Sequence, residues 1–184
     1  SFKRNGMEVL CTVLSSRLSG AYSAAITAAK RMGEGIAVVD SQLTAGGLYL
    51  LISRIREEID KKQMSLSEAA ALCGRLRGRI GVAFSVELLD ALRKSRRIGV
   101  VRQSVGSILN RRPVLLLRRG GIISCGLARG WQEKSELLAA QIPHDTERLV
   151  VQYYEKKKEA VQFASSLKKK LCVPLILLRE IGPV

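Results

Sequence analysis

The sequence predicts an α/β protein: a parallel sheet flanked by helices, followed by a smaller α+β region with a mixed sheet. Three observations point there. Two strand-turn-helix passages follow one another, Val9 to Ala29 and Gly35 to Ile59, and successive units of that kind imply right-handed parallel pairing. Gly120-Gly121 sits between two apolar runs, as in a β-hairpin. Beyond it, helical and strand-like segments are mixed to the end of the chain. The character changes near Gly78, so residues 1–78 are expected to form the first domain and residues 79–184 the second.

Each element has a local reason. Val9 to Leu14 is a continuous apolar run, suited to a strand covered on both faces, and the Ala-rich stretch after Gly20 suits a helix packed close to it. Gly35 to Val39 repeats the strand, and Asp40 to Gly47 repeats the hydroxyl- and glycine-rich turn. Leu48, Leu51, Ile52, Ile55 and Ile59 then recur at helical spacing along one face. Ser65 and Glu68 form a capping box for a third helix that buries Leu66, Ala69, Ala70, Cys73 and Leu76. Ile80, Val82 and Phe84 alternate as in a strand, and short helices are expected from Val86 to Arg93 and from Gly106 to Leu109. The hairpin joins Pro113–Leu117 to Ile122–Ala128. A helix from Gln132 to Gln141, a strand from Leu149 to Tyr153, a helix from Glu155 to Leu171 and a strand from Leu175 to Leu178 complete the chain.

Composition bounds the function. At 184 residues and 47% hydrophobic content the chain can hold a packed core. No apolar run is long enough to cross a bilayer and no signal-peptide pattern is present, which points to a cytoplasmic protein. Cys11, Cys73, Cys125 and Cys172 have neither metal nor redox spacing and read as reduced, mostly buried hydrophobes. The net charge of +15 attracts anionic partners in general. With 4% aromatic residues and no helix-turn-helix, zinc-finger or RNA-recognition pattern, no specific nucleic acid is expected. The triple-lysine runs read as solvated faces. Serine-hydrolase elbow, catalytic triad, Walker loop, dinucleotide fingerprint and metal-ligand cluster are all missing, so neither enzyme activity nor a cofactor is expected. Ser1 to Gly6 resembles the last turn of a helix and Leu175 to Val184 stops within a strand and turn, so both ends are expected to be cut.

The candidate site lies at the first turn, Ser15-Ser16-Arg17-Leu18-Ser19-Gly20. It sits where a parallel strand ends and a helix begins, so unpaired amides and the positive end of the helix dipole converge there. Ser16, Ser19 and the amides after Gly20 suit a carboxylate or phosphate, and Gly20 lets a ligand approach the backbone. Asp40 and Ser41, from the second turn on the same sheet edge, are expected to shape the site with Ser19. Taken alone, the first turn favours simple capping by Ser19, and Asp40 or Ser41 would cap as well.

Ser15 to Tyr22 resembles the I-S-S-x-L-S-G-T-Y signature of the DegV family, and Val39-Asp40-Ser41 with Gly46-Gly47-Leu48 resembles its D-S and G-L-G segments. Leu88 to Ile98 is similar to its L-x-x-L-x-x-G-G-R-I, Ser107 to Leu115 to its L-L-N-I-K-P-I-L, and Glu180 to Val184 to its E-I-G-P-V. Five blocks in order over nearly the whole chain make the resemblance specific. It implies a two-domain DegV-like (EDD) fold that holds a long-chain fatty acid in an apolar tunnel between the domains. The implied partner is a separate fatty-acid kinase, to which the carboxylate is presented; the binding protein supplies no phosphoryl chemistry. Ser19 is the implied carboxylate ligand with Ser16 beside it, and Arg97 and Arg129 match arginines linked to kinase docking or phosphoryl contact.

Departures accompany the match. Ala21 stands where the family has Thr, and Ser95-Arg96 replaces Gly-Gly before Arg97. The first-strand acidic-Ser motif, the T-S-x-P-S segment and the G-x-H-x-G-P-G stretch are absent from the sequence. His144, the single histidine, lies in Pro143-His144-Asp145-Thr146, which reads as a solvated turn. The alternative from another class is a basic module for an anionic macromolecule, whose mark is one face gathering Arg93–Arg97, Arg111-Arg112 and Lys168–Lys170.

Overall fold

Two strands, β1 (Val9–Val13) and β2 (Ile36–Asp40), pair in parallel with Val9 opposite Ile36 and Val13 opposite Asp40. Their carboxyl ends are therefore level, and the chain leaves both at one edge. The computed structural model describes residues 6–87, 111–171 and 173–182. The expected short helices run into or fall on residues 88–110, and these, with Arg97 and Cys172, lie outside the described residues. Helix α1 (Ala21–Met32) joins the two strands and stops at Gly33. Every residue of β1 and β2 is half-buried, which corrects the expectation of strands covered on both faces. A two-stranded ladder has no interior strand, and the Ala-rich α1 buries none of its own residues.

Helix α2 (Ala45–Lys61) begins earlier than the periodicity implies, taking Gly46 and Gly47 into its first turn. Leu51 and Ile55 are buried, whereas Ile52 and Ile59 are exposed. Consecutive helical residues point about 100° apart, so Ile52 flanks the stripe that Leu51 centres, and Ile59 falls in the last turns. Helix α3 (Leu66–Arg77) carries the expected capping box: Ser65 Oγ accepts the Glu68 N–H, and the Glu68 carboxylate accepts the Ser65 N–H. It buries Ala69 and Cys73, with Leu72 and Leu76 packed against the same core.

Strands β3 (Val82–Ser85), β4 (Arg112–Arg118) and β5 (Gly121–Ala128) form an antiparallel sheet in that order. The hairpin turn falls one residue earlier than expected, on Arg119-Gly120, because Arg118 pairs with Gly121. Both turn residues have positive φ, 47° and 77°, the backbone of a two-residue hairpin turn. Leu115, Leu117 and Ile122 from this sheet share one apolar cluster with Leu43, Leu51, Ile55 and Cys73. That core crosses residue 78.

The remaining elements are α4 (Gly130–Ala139), β6 (Arg148–Tyr153), α5 (Lys157–Lys170) and β7 (Leu175–Glu180). Strands β6 and β7 are parallel, so this half combines parallel with antiparallel pairing in separate ladders. Val151, Ala160, Ala164 and Leu167 make a second cluster, lined by Leu149, Ile176 and Leu178. Cys73 is buried and Cys11 and Cys125 are half-buried, all as free thiols. Lys156–Lys158 and Lys168–Lys170 are exposed, as solvated faces should be. His144 is exposed in a turn. No helix among the described residues is long and apolar enough to cross a membrane.

Candidate functional site

The parallel register of β1 and β2 brings the two hydroxyl-rich turns together. Asp40, the last residue of β2, accepts the Ser16 hydroxyl at 2.6 Å on one carboxylate oxygen and the Ser16 and Gln42 amides at 3.1 and 2.9 Å on the other. Burial pushes the Asp40 carboxyl up, but the Ser16 hydroxyl, the Gln42 and Ser16 amides and the Arg77 charge outweigh it. Together they hold the carboxyl below the ordinary carboxylate value. Arg77 also donates to the Asp40 main-chain oxygen at 2.8 Å. Ser16 is thus committed to an ionised group, and a ligand carboxylate beside it would meet like charge.

Ser15 and Ser41 are fully buried. Ser15 Oγ donates to the Gly120 carbonyl at 2.7 Å and accepts the Arg17 N–H at 3.2 Å, and its N–H donates to the Leu43 carbonyl at 2.9 Å. Ser41 Oγ accepts the Leu43 N–H at 3.0 Å and leans its proton towards the Leu43 carbonyl at 3.4 Å. Ser41 therefore faces inward and shapes the turn from beneath, not its ligand-facing side. The hairpin tip closes over Ser15. A Cβ at Gly120 would lie 2.5 Å from Ser15 Oγ, and one at Gly121 would lie 2.9 Å from the Arg17 guanidinium carbon. Glycine is required at 120 by both space and φ.

Ser19 differs from the other three. It is half-buried, and its Oγ accepts the Ala21 N–H at 3.2 Å. The N-cap of α1 is Gly20, so Ser19 makes an i to i+2 turn and does not cap in the usual way. Among the described residues the Ser15, Ser16 and Ser41 hydroxyls point their protons at protein acceptors. The Ser19 hydroxyl has no acceptor there and keeps a donor for an incoming anion. Gly20, exposed and open on its Cβ side, leaves the approach clear.

The second turn is braced from further away. Gln42 and Ala45 adopt left-handed φ of 56° and 47°, a conformation costing non-glycine residues roughly 1 kcal/mol each. Thr44, the N-cap of α2, makes no side-chain cap bond, and the Gly46 N–H is taken at 2.7 Å by Gln152 Oε1 from β6.

Arg129 is exposed at the head of α4, its N–H held by Glu133 at 2.6 Å. It follows β5 at the end opposite Gly121, so at about 3.3 Å per residue it lies roughly 25 Å along the strand from the hairpin tip over Ser15. The structure does not bring Arg129 to the Ser19 turn. Arg97 and the Arg93–Arg97 cluster are outside the described residues. An open depression of about 400 Å³, lined by Ile26, Ala29 and Ile36 among others, lies at the other end of α1 from Ser19.

Ser15, Arg77 and Gln152 were not among the expected site residues, and Gly120 was expected only as a hairpin turn, not as the acceptor for Ser15. Ser15 was within reach, as a hydroxyl in the same turn flanked by an apolar strand. The contacts of Gly120 and Gln152 span 105 and 106 residues and leave no local signal.

A family model described as "Uncharacterised protein, DegV family" matches residues 1–184. A DegV domain-containing protein of Deinococcus radiodurans is 32% identical over 135 residues, covering 73% of this chain and 48% of that protein. A DegV lipid-binding protein of Thermotoga maritima has a similar structure, with a TM-score of 0.84 and 26% identity over 98% of this chain and 65% of that one. A DegV family protein of Thermus thermophilus, described for its fatty acid binding, superposes with a TM-score of 0.82 at 28% identity, covering 94% and 64%. The chain spans about half the length of the first curated relatives it matches.

Proposed function

This chain belongs to the DegV family, and on that premise we propose that it binds a long-chain fatty acid, with Ser19 donating its hydroxyl proton to the carboxylate. The acyl tail leaves Ser19 along an apolar passage between two domains, and their boundary does not fall at residue 78, where one apolar core is continuous. The bound acid is presented to a separate fatty-acid kinase in the cytoplasm, and the chain itself contributes neither a catalytic group nor a cofactor.

One observation carries the reading: of the four serines on the two turns, Ser19 alone has a hydroxyl proton without a protein acceptor among the described residues. Its turn meets the start of a helix, whose amides and dipole favour an anion. Asp40 serves as a brace that orders the turn through Ser16. The family premise supplies the ligand class, in line with the lipid- and fatty-acid-binding relatives at 26% and 28% identity. Arg129, exposed and remote from Ser19, suits docking of the kinase better than contact with the reacting carboxylate.

Organic extraction and mass spectrometry of the purified full-length protein test the reading. Long-chain fatty acid at close to one per chain is expected, and its absence overturns the proposal. Ser19→Ala removes a hydrogen bond to a charged group and should weaken binding by about tenfold or more. Ser16→Ala should weaken it less, and the reverse ranking would take Ser19 out of the site.

A further inference from the structure

We propose that Gln152 is a positioning residue for the ligand-facing turn, holding it in place through the first turn of α2. Gln152 Oε1 accepts the Gly46 N–H at 2.7 Å in a half-buried setting. The approach is close: a Cβ at Gly46 would lie 3.1 Å from that oxygen and 3.4 Å from Val150 Cβ, so β6 abuts the start of α2. Helix α2 has no side-chain cap of its own, since the Thr44 hydroxyl makes no cap bond. Gln152 takes over that task from a different sheet.

A continuous set of bonds leads from this contact to the ligand-binding serine. Gly46 fixes the end of the Asp40–Ala45 segment, whose Gln42 and Ala45 hold left-handed φ values that an unbraced chain would relax. Within that segment the Leu43 carbonyl accepts the Ser15 N–H at 2.9 Å, and Asp40 accepts from Ser16. The Ser15 carbonyl in turn accepts the Leu18 and Ser19 N–H groups at 3.0 and 3.1 Å. A second attachment steadies the joint: Arg148, four residues before Gln152 on β6, forms a two-pronged pair with Glu57 of α2, one prong at 2.8 Å. Both elements are thus held at two points, and the strand that braces the turn belongs to the separate apolar cluster of β6, α5 and β7.

The assignment rests on Ser19 as the carboxylate ligand, and the test keeps the two apart. In the full-length protein, Gln152→Leu removes the acceptor while Gln152→Glu keeps one. Palmitate affinity should fall about five- to tenfold in the first and less than twofold in the second. Amide hydrogen exchange should quicken at Gly46 and also at Ser15 and Ser19 in Gln152→Leu. Faster exchange at Gly46 alone, with palmitate affinity unchanged, marks a merely local cap and overturns the assignment. If the unaltered protein fails to bind palmitate, the fatty-acid reading falls and exchange at Ser15 and Ser19 still decides the positioning role. Should Gln152→Leu not fold, the unaltered protein supplies the check: a Gly46 amide that exchanges like an exposed one overturns the assignment.

Discussion

The chain contains two parallel strand-helix-strand units, β1–α1–β2 and β6–α5–β7, with opposite habits of burial. In the second, α5 buries Ala160, Ala164 and Leu167 against Val151 of β6. In the first, α1 buries nothing and all ten strand residues are only half-covered. The first unit leans one face, through Leu10 and Val39, on the larger apolar cluster, and its turns are ordered by polar contacts: the Asp40–Ser16 bonds, the Arg77 bond to Asp40, and the hairpin tip seated on Ser15. An apolar core resists change over its whole volume, whereas a polar turn depends on a few directional bonds. The comparison teaches that two copies of one topology can be ordered differently, the second by a helix buried on its own strands and the first by directional bonds at its turns.

The strongest way to break that contrast is truncation in each unit. Leu167→Ala, at a fully buried position, should cost about 3 kcal/mol in urea unfolding, and Ile26→Ala in the half-buried face of α1 less than about 1.5 kcal/mol. Equal costs would show that the first unit has a core of comparable weight. Next in size is the hairpin lock. Ser15→Ala leaves the Gly120 carbonyl and the Arg17 amide without that partner and should cost about 1–2 kcal/mol. A stability change within experimental error would remove the lock from the account.

Smallest is a pH effect that sharpens the polar side. The Asp40 carboxyl is held below its unfolded value of about 3.9. A depressed folded-state pKa means the stabilisation is fully present above the unfolded value and is lost as pH falls through the folded one. Asp40→Asn should therefore flatten the acid limb of the stability profile below about pH 4 and leave its neutral shape unchanged. An acid limb as steep as that of the unaltered protein would assign the sensitivity to other carboxylates.

Much of this was legible in the residues. The Ser65–Glu68 capping box, the hairpin at Gly120 and the solvated turn at His144 each depend on groups a few positions apart; the first and last formed where the pattern put them, and the hairpin turn formed one residue earlier. Leu51 and Ile55 were legible as core, but Ile52 and Ile59 were not separable from them, since a stripe is broader than the surface that covers it. The start of α2 was obscured for a different reason. Gly46-Gly47 reads locally as a turn, but here the glycines let the start of a helix pack closely, since a Cβ at Gly47 would lie 2.5 Å from Val82 of β3 and one at Gly46 3.1 Å from Gln152 of β6.

Local spacing thus determined the order of elements, the α3 capping box and the parallel pairing of β1 with β2, because helix and strand periods and capping bonds act over a few residues. Which serine hydroxyl keeps its proton without a protein acceptor among the described residues was decided by tertiary structure alone. Ser15, Ser16 and Ser19 carry the same hydroxyl within five residues, and they diverge because the acceptors that claim the first two, Gly120 and Asp40, arrive from 105 and 24 positions away.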